Sequence, residues 1–208
     1  MNTLYPIFLK LDKKRCAVIG GGKTATRKVK TLLEAKAKVT VISPKLTKEL
    51  KELVENGSIE VIKRRYKEGD LDKYFLIFGA TDSKEINKII VKEAKKKKIL
   101  CNIIDDPSNC DFYVPSTYTQ GDLKIAISTN GKSPALARKI REELSNFYGK
   151  EVALFLNLLG SLRKKIKVKF PDERKRRKIL FKIVNSQSLS SLKDKNKKEI
   201  KKEINKWI

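Results

Sequence analysis

The stretch RCAVIGGGKTA at residues 15–25 decides the fold of this chain. Its first five residues are a short apolar run typical of a β-strand, and the three glycines that follow predict a tight turn. Residues 23–33 then place Ala25, Val29, Leu32 and Leu33 at helical spacing, and a second apolar run occupies residues 38–42. We therefore predict a βαβ unit with parallel strands and a right-handed crossover.

Strands and helices continue to alternate after this unit. The sequence predicts helices at 47–56 and 83–98 and strands at 59–62, 74–80 and 99–104. Helix 83–98 is expected to turn four side chains towards the core: Ile86, Ile89, Ile90 and Ala94. Alternation of this kind is typical of a doubly wound parallel sheet, so we predict an α/β protein with an N-terminal Rossmann-type domain over residues 1–114.

The pattern changes beyond this domain. Residues 123–128 alternate like a half-exposed strand, and Ser133 with Pro134 is placed to begin a helix that runs to about Tyr148. Residues 150–208 contain no convincing strand, and they indicate helices interrupted near Phe170-Pro171 and at 185–191. We predict a small middle segment over 115–149 and a helical C-terminal domain over 150–208. In its charged tail the inward candidates are Ile200, Ile204 and Trp207.

The composition narrows the classes of function. With 208 residues and 40% apolar content the chain can bury a core, and it has no histidine. Catalysis would therefore rest on Asp, Glu, Lys, Tyr, Cys or a cofactor. Cys16, Cys101 and Cys110 form no C-x-x-C pair, which indicates reduced thiols in or near the core.

The net charge of +25 fits a polyanionic small molecule, a nucleic acid, or a general enrichment in lysine. Nucleic acid is disfavoured because the basic residues are not gathered into one aromatic-bearing module. No apolar run approaches the roughly 20 residues of a membrane-spanning helix. Residues 1–10 also lack the pattern of a signal peptide, so we expect no membrane association and a cytoplasmic location.

Gly20-x-Gly22-x-x-Ala25 has the pattern of a dinucleotide-binding turn. Gly20 would permit the tight turn, Gly22 would let a diphosphate approach the backbone, and Ala25 would let the helix pack close to the strand. The amide groups that open the helix would then face the anion. The alternative is a glycine turn that binds nothing.

The acidic residue that often holds the adenosine ribose is missing, because Ser43, Pro44 and Lys45 follow the second strand. Ser43 can hydrogen-bond a ribose, whereas Lys45 can meet a 2′-phosphate or remain solvated, so the choice between NAD and NADP stays open. Thr81 and Asp82 follow the strand at 74–80 and are expected at the same sheet edge. They can contact a cofactor or cap the next helix.

Asp105 comes just past the predicted strand at 99–104, again at the carboxyl edge of the sheet. A carboxylate there can take a proton while a hydride leaves for a nicotinamide ring. The alternative is an ordinary turn before Pro107.

The order of these motifs resembles the precorrin-2 dehydrogenase family, which includes the N-terminal module of siroheme synthases and related stand-alone enzymes. The motifs that carry the resemblance are Tyr5-Pro6-Ile7-Phe8, Val18-Ile19-Gly20-Gly21-Gly22, Ala25-x-Arg27-Lys28, Leu32-Leu33-Glu34-Ala35, Val41-Ile42-Ser43-Pro44, Ala80-Thr81-Asp82, Cys101-Asn102-Ile103-Ile104-Asp105, Phe112-Tyr113-Val114-Pro115-Ser116 and ISTNGKSPALAR at 127–138. Each motif alone is common, and their joint occurrence in this order is specific.

The resemblance implies NAD-dependent oxidation of precorrin-2 to sirohydrochlorin on the route to siroheme, followed in some members by insertion of ferrous iron. It implies a homodimer in which the segment from Pro115 to about Tyr148 exchanges contacts between subunits. The family's catalytic aspartate matches Asp105, which would also serve iron insertion. Its cofactor contacts match Gly22, Lys23, Thr24, Ser43, Pro44 and Lys45, and Ser128 matches a serine near the tetrapyrrole pocket.

A polycarboxylate tetrapyrrole also suits the charge of this chain, since Lys132 and the helix start at Ser133 offer positive potential to the substrate. An alternative is a Rossmann regulatory module that senses NAD without turnover. That alternative explains the glycine turn but neither Asp105 nor the stretch at 128–138. A third class, nucleic-acid binding, would rest on the basic C-terminal helices.

Overall fold

A parallel sheet of five strands forms the first part of the protein, in the spatial order β3-β2-β1-β4-β5. The computed structural model describes residues 4–185 together with Glu199 and Lys202. The elements up to β5 are β1 (Arg15–Ile19), α1 (Lys23–Glu34), β2 (Lys38–Ile42), α2 (Lys48–Glu55), β3 (Glu60–Ile62), β4 (Leu76–Gly79), α3 (Lys84–Lys97) and β5 (Leu100–Ile103). The predicted Rossmann-type sheet is confirmed. The strand order reverses at β1, and ligands of such sheets bind outside the carboxyl ends of the strands at this point.

Both faces of the sheet are covered, which explains why its strands are continuous apolar runs. Cys16 and Val18 of β1 pack in one buried cluster with α1 and α2, whereas Ala17 and Ile19 pack in a second cluster with α3. The central strand β1 pairs with β2 and β4, so that Val18 lies beside both Val41 and Phe78. Four successive residues of β1 are fully buried as a result.

The inner face of α3 differs from the prediction at one residue. Ile90 and Ala94 are fully buried and Ile86 is partly buried, as expected, but Ile89 is 39% exposed. The prediction for Ile89 was wrong because the buried face is centred between Ile90 and Ala94, and at about 100° per residue Ile89 lies further from that centre than Val91 does. Val91 is buried on that face instead.

Glu93 is also buried on the inner face of α3, at 3% exposure. Its carboxylate accepts hydrogen bonds from the Tyr66 hydroxyl and from the backbone N–H groups of Gly69 and Leu71, at 3.0 and 3.2 Å for the two amides. Burial and the nearby carboxylate of Glu93 raise the pKa of Tyr66. From inside the core, Glu93 therefore satisfies three hydrogen-bond donors of the loop between β3 and β4.

The second part of the protein begins at Pro115, since the contacts divide the chain into one unit at Tyr5–Val114 and another from Pro115 onward. This unit contains an antiparallel hairpin, β6 (Ser116–Gln120) and β7 (Leu123–Ile127), and the helices α4 (Pro134–Phe147), α5 (Lys150–Lys169) and α6 (Glu173–Asn185). Phe155, Leu162 and Ile166 of α5 pack with Ile183 of α6. The predicted helical C-terminal region is present, with its break at Phe170-Pro171.

Some expectations stay predictions. The division of the second unit into a middle segment and a separate helical domain is one of them, and the tail candidates Ile200, Ile204 and Trp207 lie outside the described residues. Among the described helices, none combines the length and the apolar character needed to cross a bilayer. The cytoplasmic location remains an expectation.

Ile90 and Ile89 provide a matched test of the packing of α3. Ile90→Ala should lower the free energy of unfolding by about 2–5 kcal/mol, because it leaves a cavity at a fully buried site. Ile89→Ala deletes the same atoms from the exposed neighbouring position and should cost below about 1 kcal/mol. Urea unfolding of both variants measures the difference, and equal losses would contradict the orientation of α3.

Candidate functional site

Four loops of the first unit leave the carboxyl ends of its parallel strands and therefore lie at one edge of the sheet. They follow β1, β2, β4 and β5 and begin at Gly20, Ser43, Ala80 and Ile104. Most of the predicted cofactor residues and Asp105 belong to these loops, and Lys23 and Thr24 open the helix that follows the first of them. The sheet thus gathers them at the edge where such folds bind ligands.

The glycine turn is held between two of the neighbouring loops. A Cβ on Gly20, whose φ is +120°, would clash with the Ala80 carbonyl group after β4. A Cβ on Gly21 would clash with the Lys45 carbonyl oxygen after β2. A Cβ on Gly22 would meet nothing within 4 Å. The first two glycines therefore allow the loops to pack, and the third one faces open space.

Gly21 has a structural role that the sequence did not reveal. The dinucleotide-binding pattern gives a role to Gly20 and Gly22 but none to Gly21. In the structure Gly21 lies against the backbone of the loop after β2, where a side chain would clash. The Gly21 carbonyl also accepts a hydrogen bond from the N–H of Thr47 at 3.0 Å. The loop after β2 is thus fixed directly against the glycine turn.

The first turn of α1 is open to an anion. Its N-cap is Gly22, which offers no side chain, and the turn contains no acidic residue. The starts of α2, α3 and α4 are capped by side-chain oxygens of Thr47, Ser83 and Ser133. α5 also begins after a glycine, but Glu151 lies in its first turn. The start of α1 therefore keeps N–H donors and positive potential for a bound diphosphate.

The loop after β2 presents Pro44 and Lys45 to solvent, whereas Ser43 is buried. The Ser43 hydroxyl donates to the Lys45 carbonyl oxygen at 2.7 Å. The hydroxyl proton is thus used inside its own loop, and the hydroxyl oxygen also accepts from the Lys45 N–H at 3.4 Å. Contact of these three residues with the ribose stays a prediction.

Thr81 is bonded to the beginning of α3. Its hydroxyl lies 2.8 Å from the side-chain oxygen of Asn87 and 3.2 Å from the Ser83 carbonyl, and Asn87 donates back to the Thr81 carbonyl. Ser83 itself caps α3 by accepting from the Ile86 N–H at 3.3 Å. The side chain of Thr81 thus supports the helix start, while Asp82 is exposed beside it.

Asp105 and Asp106 are adjacent carboxylates in different states. Asp106 accepts hydrogen bonds from Ser108 and Asn109 at 2.6 and 2.8 Å, and these bonds hold its pKa below the ordinary range. Asp105 is exposed, has φ +61°, and accepts no hydrogen bond from any residue in the described part of the chain. Asp106 fixes the turn, and the carboxylate of Asp105 is left available for a ligand.

The segment after this turn is pinned to β5. The buried Asn102 side chain donates to the Phe112 carbonyl at 2.8 Å, and Asp111 accepts from the Cys101 N–H at 2.9 Å. The Phe112 ring packs edge-on against Phe78, with centroids 5.5 Å apart. The sequence analysis did not predict these contacts, although the polar Asn102 inside a buried strand indicates that its side chain has a hydrogen-bond partner.

Lys28 of α1 lies over the Phe78 ring, with its ammonium nitrogen 5.1 Å from the centroid. Burial and the nearby Arg27 guanidinium lower the pKa of Lys28. Cys110 lies close enough to influence it, and burial raises the pKa of that thiol. Lys28 is thus a half-buried cation, and in the sequence it was noted only as part of the motif Ala25-x-Arg27-Lys28.

The predicted substrate residues Ser128, Lys132 and Ser133 belong to the second unit. Ser128 is exposed and accepts from the Asn130 N–H at 3.1 Å, and Lys132 is exposed. Ser133 caps α4 by accepting from the Leu136 N–H at 3.2 Å, as the sequence predicted. No cluster of three or more His, Cys, Asp or Glu side chains suited to a metal occurs within the described residues.

Comparisons with known proteins match both units. A family model described as putative NAD(P)-binding matches residues 7–116, and a model described as sirohaem biosynthesis protein central matches residues 120–146. A solved structure described as SirC, precorrin-2 dehydrogenase, superposes with a TM-score of 0.78 at 28% identity, covering 98% of this chain and 100% of that one. This chain belongs to the family whose model is described as putative NAD(P)-binding, and it resembles precorrin-2 dehydrogenase over its length. The predicted NAD(P)-type cofactor and the family resemblance are thereby confirmed.

Curated relatives of this family member are siroheme synthases. Siroheme synthase 3 of Aeromonas hydrophila is 36% identical over 184 residues, which are 88% of this chain and 39% of that protein. Siroheme synthase of Thioalkalivibrio sulfidiphilus is 35% identical over 174 residues, which are 84% of this chain and 36% of that protein. The chain thus spans about two fifths of the length of these relatives.

The open space at Gly22 gives a direct test of nucleotide binding. Gly22→Asp should weaken NAD binding by roughly 100-fold, about 2.7 kcal/mol, since it places a carboxylate against the diphosphate. Gly22→Asn has the same shape without the charge and should bind NAD more tightly than Gly22→Asp does. Calorimetric titration measures both. The melting temperatures should stay close to the parent value, and unchanged NAD binding by Gly22→Asp would mean that the cofactor lies elsewhere.

Proposed function

We propose that this protein dehydrogenates precorrin-2 to sirohydrochlorin with NAD as oxidant and Asp105 as proton acceptor. The observation that carries the proposal is the available carboxylate of Asp105 at the sheet edge that also presents the open turn at Gly22. Likeness to SirC over its whole length supports the reaction, and the siroheme synthase relatives support the pathway.

The dinucleotide would be held by residues of three loops, namely Gly20, Gly22, Lys23, Thr24, Ser43, Pro44, Lys45, Thr81 and Asp82. The uncapped start of α1 supports a diphosphate beside Gly22, where Lys23 is exposed and adds a positive charge. A bound nicotinamide supplies the hydride acceptor of the reaction. The loops after β4 and β2 keep the glycine turn in place, because Gly20 and Gly21 pack against their backbones.

Removal of two hydrogens from the substrate needs a base as well as a hydride acceptor, because one hydrogen leaves as a proton. Asp105 suits this task, since its carboxylate is not engaged by the turn that Asp106 stabilises. The chain contains no histidine to take that role. Proton transfer to a positioned carboxylate is worth about 10²–10⁴ in rate.

The backbone of Asp105 is left-handed, with φ +61°, a conformation that aspartate adopts more readily than most residues do. The neighbouring N–H groups hold it there, with Ile104 bonded to Gly79 at 2.9 Å and Asp106 bonded to Ile103 at 3.3 Å. These bonds support a fixed position of Asp105 in the turn.

The polycarboxylate substrate would be bound with help from Ser128, Lys132 and Ser133. Lys132 is exposed just before the start of α4, and the helix end adds positive potential. Ferrous iron would be a second substrate, for whose insertion Asp105 would take protons from the pyrrole nitrogens. A homodimer formed through residues 115–148 completes the proposal. Exposed Leu136 and Phe147 on α4 support such an interface.

Asp105→Asn tests the proton acceptor. The variant should lose roughly 100-fold or more in kcat, because an amide cannot accept the proton, and its NAD affinity should be unchanged. Asparagine tolerates the left-handed backbone, so the fold is preserved. Asp106→Asn is the matched control. It should lower stability, because it weakens the bonds from Ser108 and Asn109, and it should leave most turnover intact.

The decisive assay is anaerobic absorbance of the purified protein with precorrin-2, first without and then with NAD. The sirohydrochlorin spectrum should form only when NAD is present, and Asp105→Asn should form it slowly. Full activity in that variant would remove Asp105 from the mechanism. Ferrous iron added after the first reaction tests chelation, and NAD binding without any oxidation would favour a nucleotide-sensing module.

A further inference from the structure

Lys28 of α1 is a half-buried cation without an acidic partner. Its ammonium nitrogen lies 5.1 Å from the centroid of the Phe78 ring. In the described part of the chain, no carboxylate forms an ion pair with it. We propose that Lys28 binds a carboxylate of the tetrapyrrole substrate beside the turn that carries Asp105.

A charge that is partly removed from water is normally paired, and this chain follows that rule elsewhere. Lys97 on α3 is also partly buried, and it forms ion pairs with Glu93 and Asp72. Burial lowers the pKa of Lys28 and the Arg27 guanidinium lowers it further, whereas a neighbouring carboxylate would raise it. The position of Lys28 is therefore suited to an anion that would stabilise its charged form.

The neighbours of Lys28 connect it to the turn of Asp105. The Cys110 thiol lies close enough to influence the charge of Lys28. The same thiol lies 3.2 Å from the carbonyl oxygens of Ile103 and Asp106, which stand on either side of Asp105 in the chain. An anion bound by the Lys28 ammonium group would therefore lie near the carboxylate that is proposed to accept the proton.

Lys28 is separate from the turn that is proposed to hold the dinucleotide. It lies about 9 Å along the axis of α1 from Gly22. Gly21 packs against the loop after β2, whereas Lys28 contacts Phe78 of β4, and these two strands flank β1 on opposite sides. An anion at Lys28 would therefore belong to the second ligand of the protein and not to the diphosphate.

The surroundings of Lys28 also suit the shape of a tetrapyrrole, whose apolar rings carry carboxylates at their periphery. Phe112 packs edge-on against Phe78 with centroids 5.5 Å apart, and it is partly exposed. Lys28 and Phe112 thus contact the same ring, which places a cation next to apolar surface. A charge-assisted hydrogen bond from the ammonium group to a carboxylate would fix one edge of the ligand.

The assignment of Lys28 rests on the proposed function, because it names a residue that would hold the proposed substrate. It concerns binding of the tetrapyrrole and not its oxidation. Titration in the absence of NAD therefore separates the failure of this assignment from the failure of the proposed reaction.

Titration of the full chain with sirohydrochlorin, followed by the absorbance of the tetrapyrrole without NAD, tests the residue. Lys28→Met removes the charge and keeps a side chain of similar length. It should weaken binding roughly tenfold, a difference of 1.4 kcal/mol. Its melting temperature should equal or exceed that of the parent, because an unpaired and partly buried charge is lost. With precorrin-2 and NAD, KM should rise while kcat stays within about threefold.

Lys30→Met is the matched control, since Lys30 is exposed on the same helix and already pairs with Glu49. It should leave the affinity for sirohydrochlorin unchanged. Unchanged affinity in Lys28→Met would overturn the assignment. An equal loss in both variants would do the same by indicating general charge attraction, and a lower melting temperature of Lys28→Met would indicate a role in the fold instead.

Two further outcomes separate the assignment from the reaction. A loss confined to Lys28→Met, in a protein that binds sirohydrochlorin but does not oxidise precorrin-2, would support the assignment and overturn the reaction alone. Absence of sirohydrochlorin binding by the unaltered protein would overturn the assignment together with the proposed substrate.

Discussion

The close approach of the glycine turn to two neighbouring loops is the constraint on which the site depends. Gly20 contacts the loop after β4 and Gly21 contacts the loop after β2, in each case at a carbonyl group where a Cβ would clash. These contacts join three strand ends by their backbones, so the edge of the sheet is fixed without the use of functional side chains. They also leave Gly22 as the glycine that faces open space, and its position can serve a ligand.

The capping of the helices follows the same division between structure and function. A side-chain cap contributes about 0.5–2 kcal/mol, and α2, α3 and α4 each receive one. α1 has no such cap. Within its first turns the Thr26 hydroxyl donates to the Gly22 carbonyl and lies 2.9 Å from the Thr47 hydroxyl. The start of α1 thus lacks a stabilising contact at the place where an anion would supply it.

The sequence predicted the parallel sheet well, because strands buried on both faces are apolar without interruption and alternate with amphipathic helices. It missed β6, since Ser116–Gln120 is largely polar and only Tyr118 is buried. It wrongly predicted that Ile89 faces the core, because hydrophobicity alone does not show which of two adjacent isoleucines is buried. The contact of Gly21 with the Lys45 carbonyl depends on how loops from separate strands meet, which local patterns do not encode.

The pair Asp105 and Asp106 shows where residue type stops being informative. Both are aspartates in one turn, and the sequence offered an ordinary turn and a proton acceptor as alternatives for this place. In the structure the two aspartates have different surroundings: Asp106 receives the bonds from Ser108 and Asn109, whereas Asp105 takes the left-handed backbone and keeps its oxygens open. The bonds of Asp106 favour its ionised form and stabilise the turn next to Asp105. Because the turn is stabilised through Asp106, the carboxylate of Asp105 is left free for the proposed proton transfer.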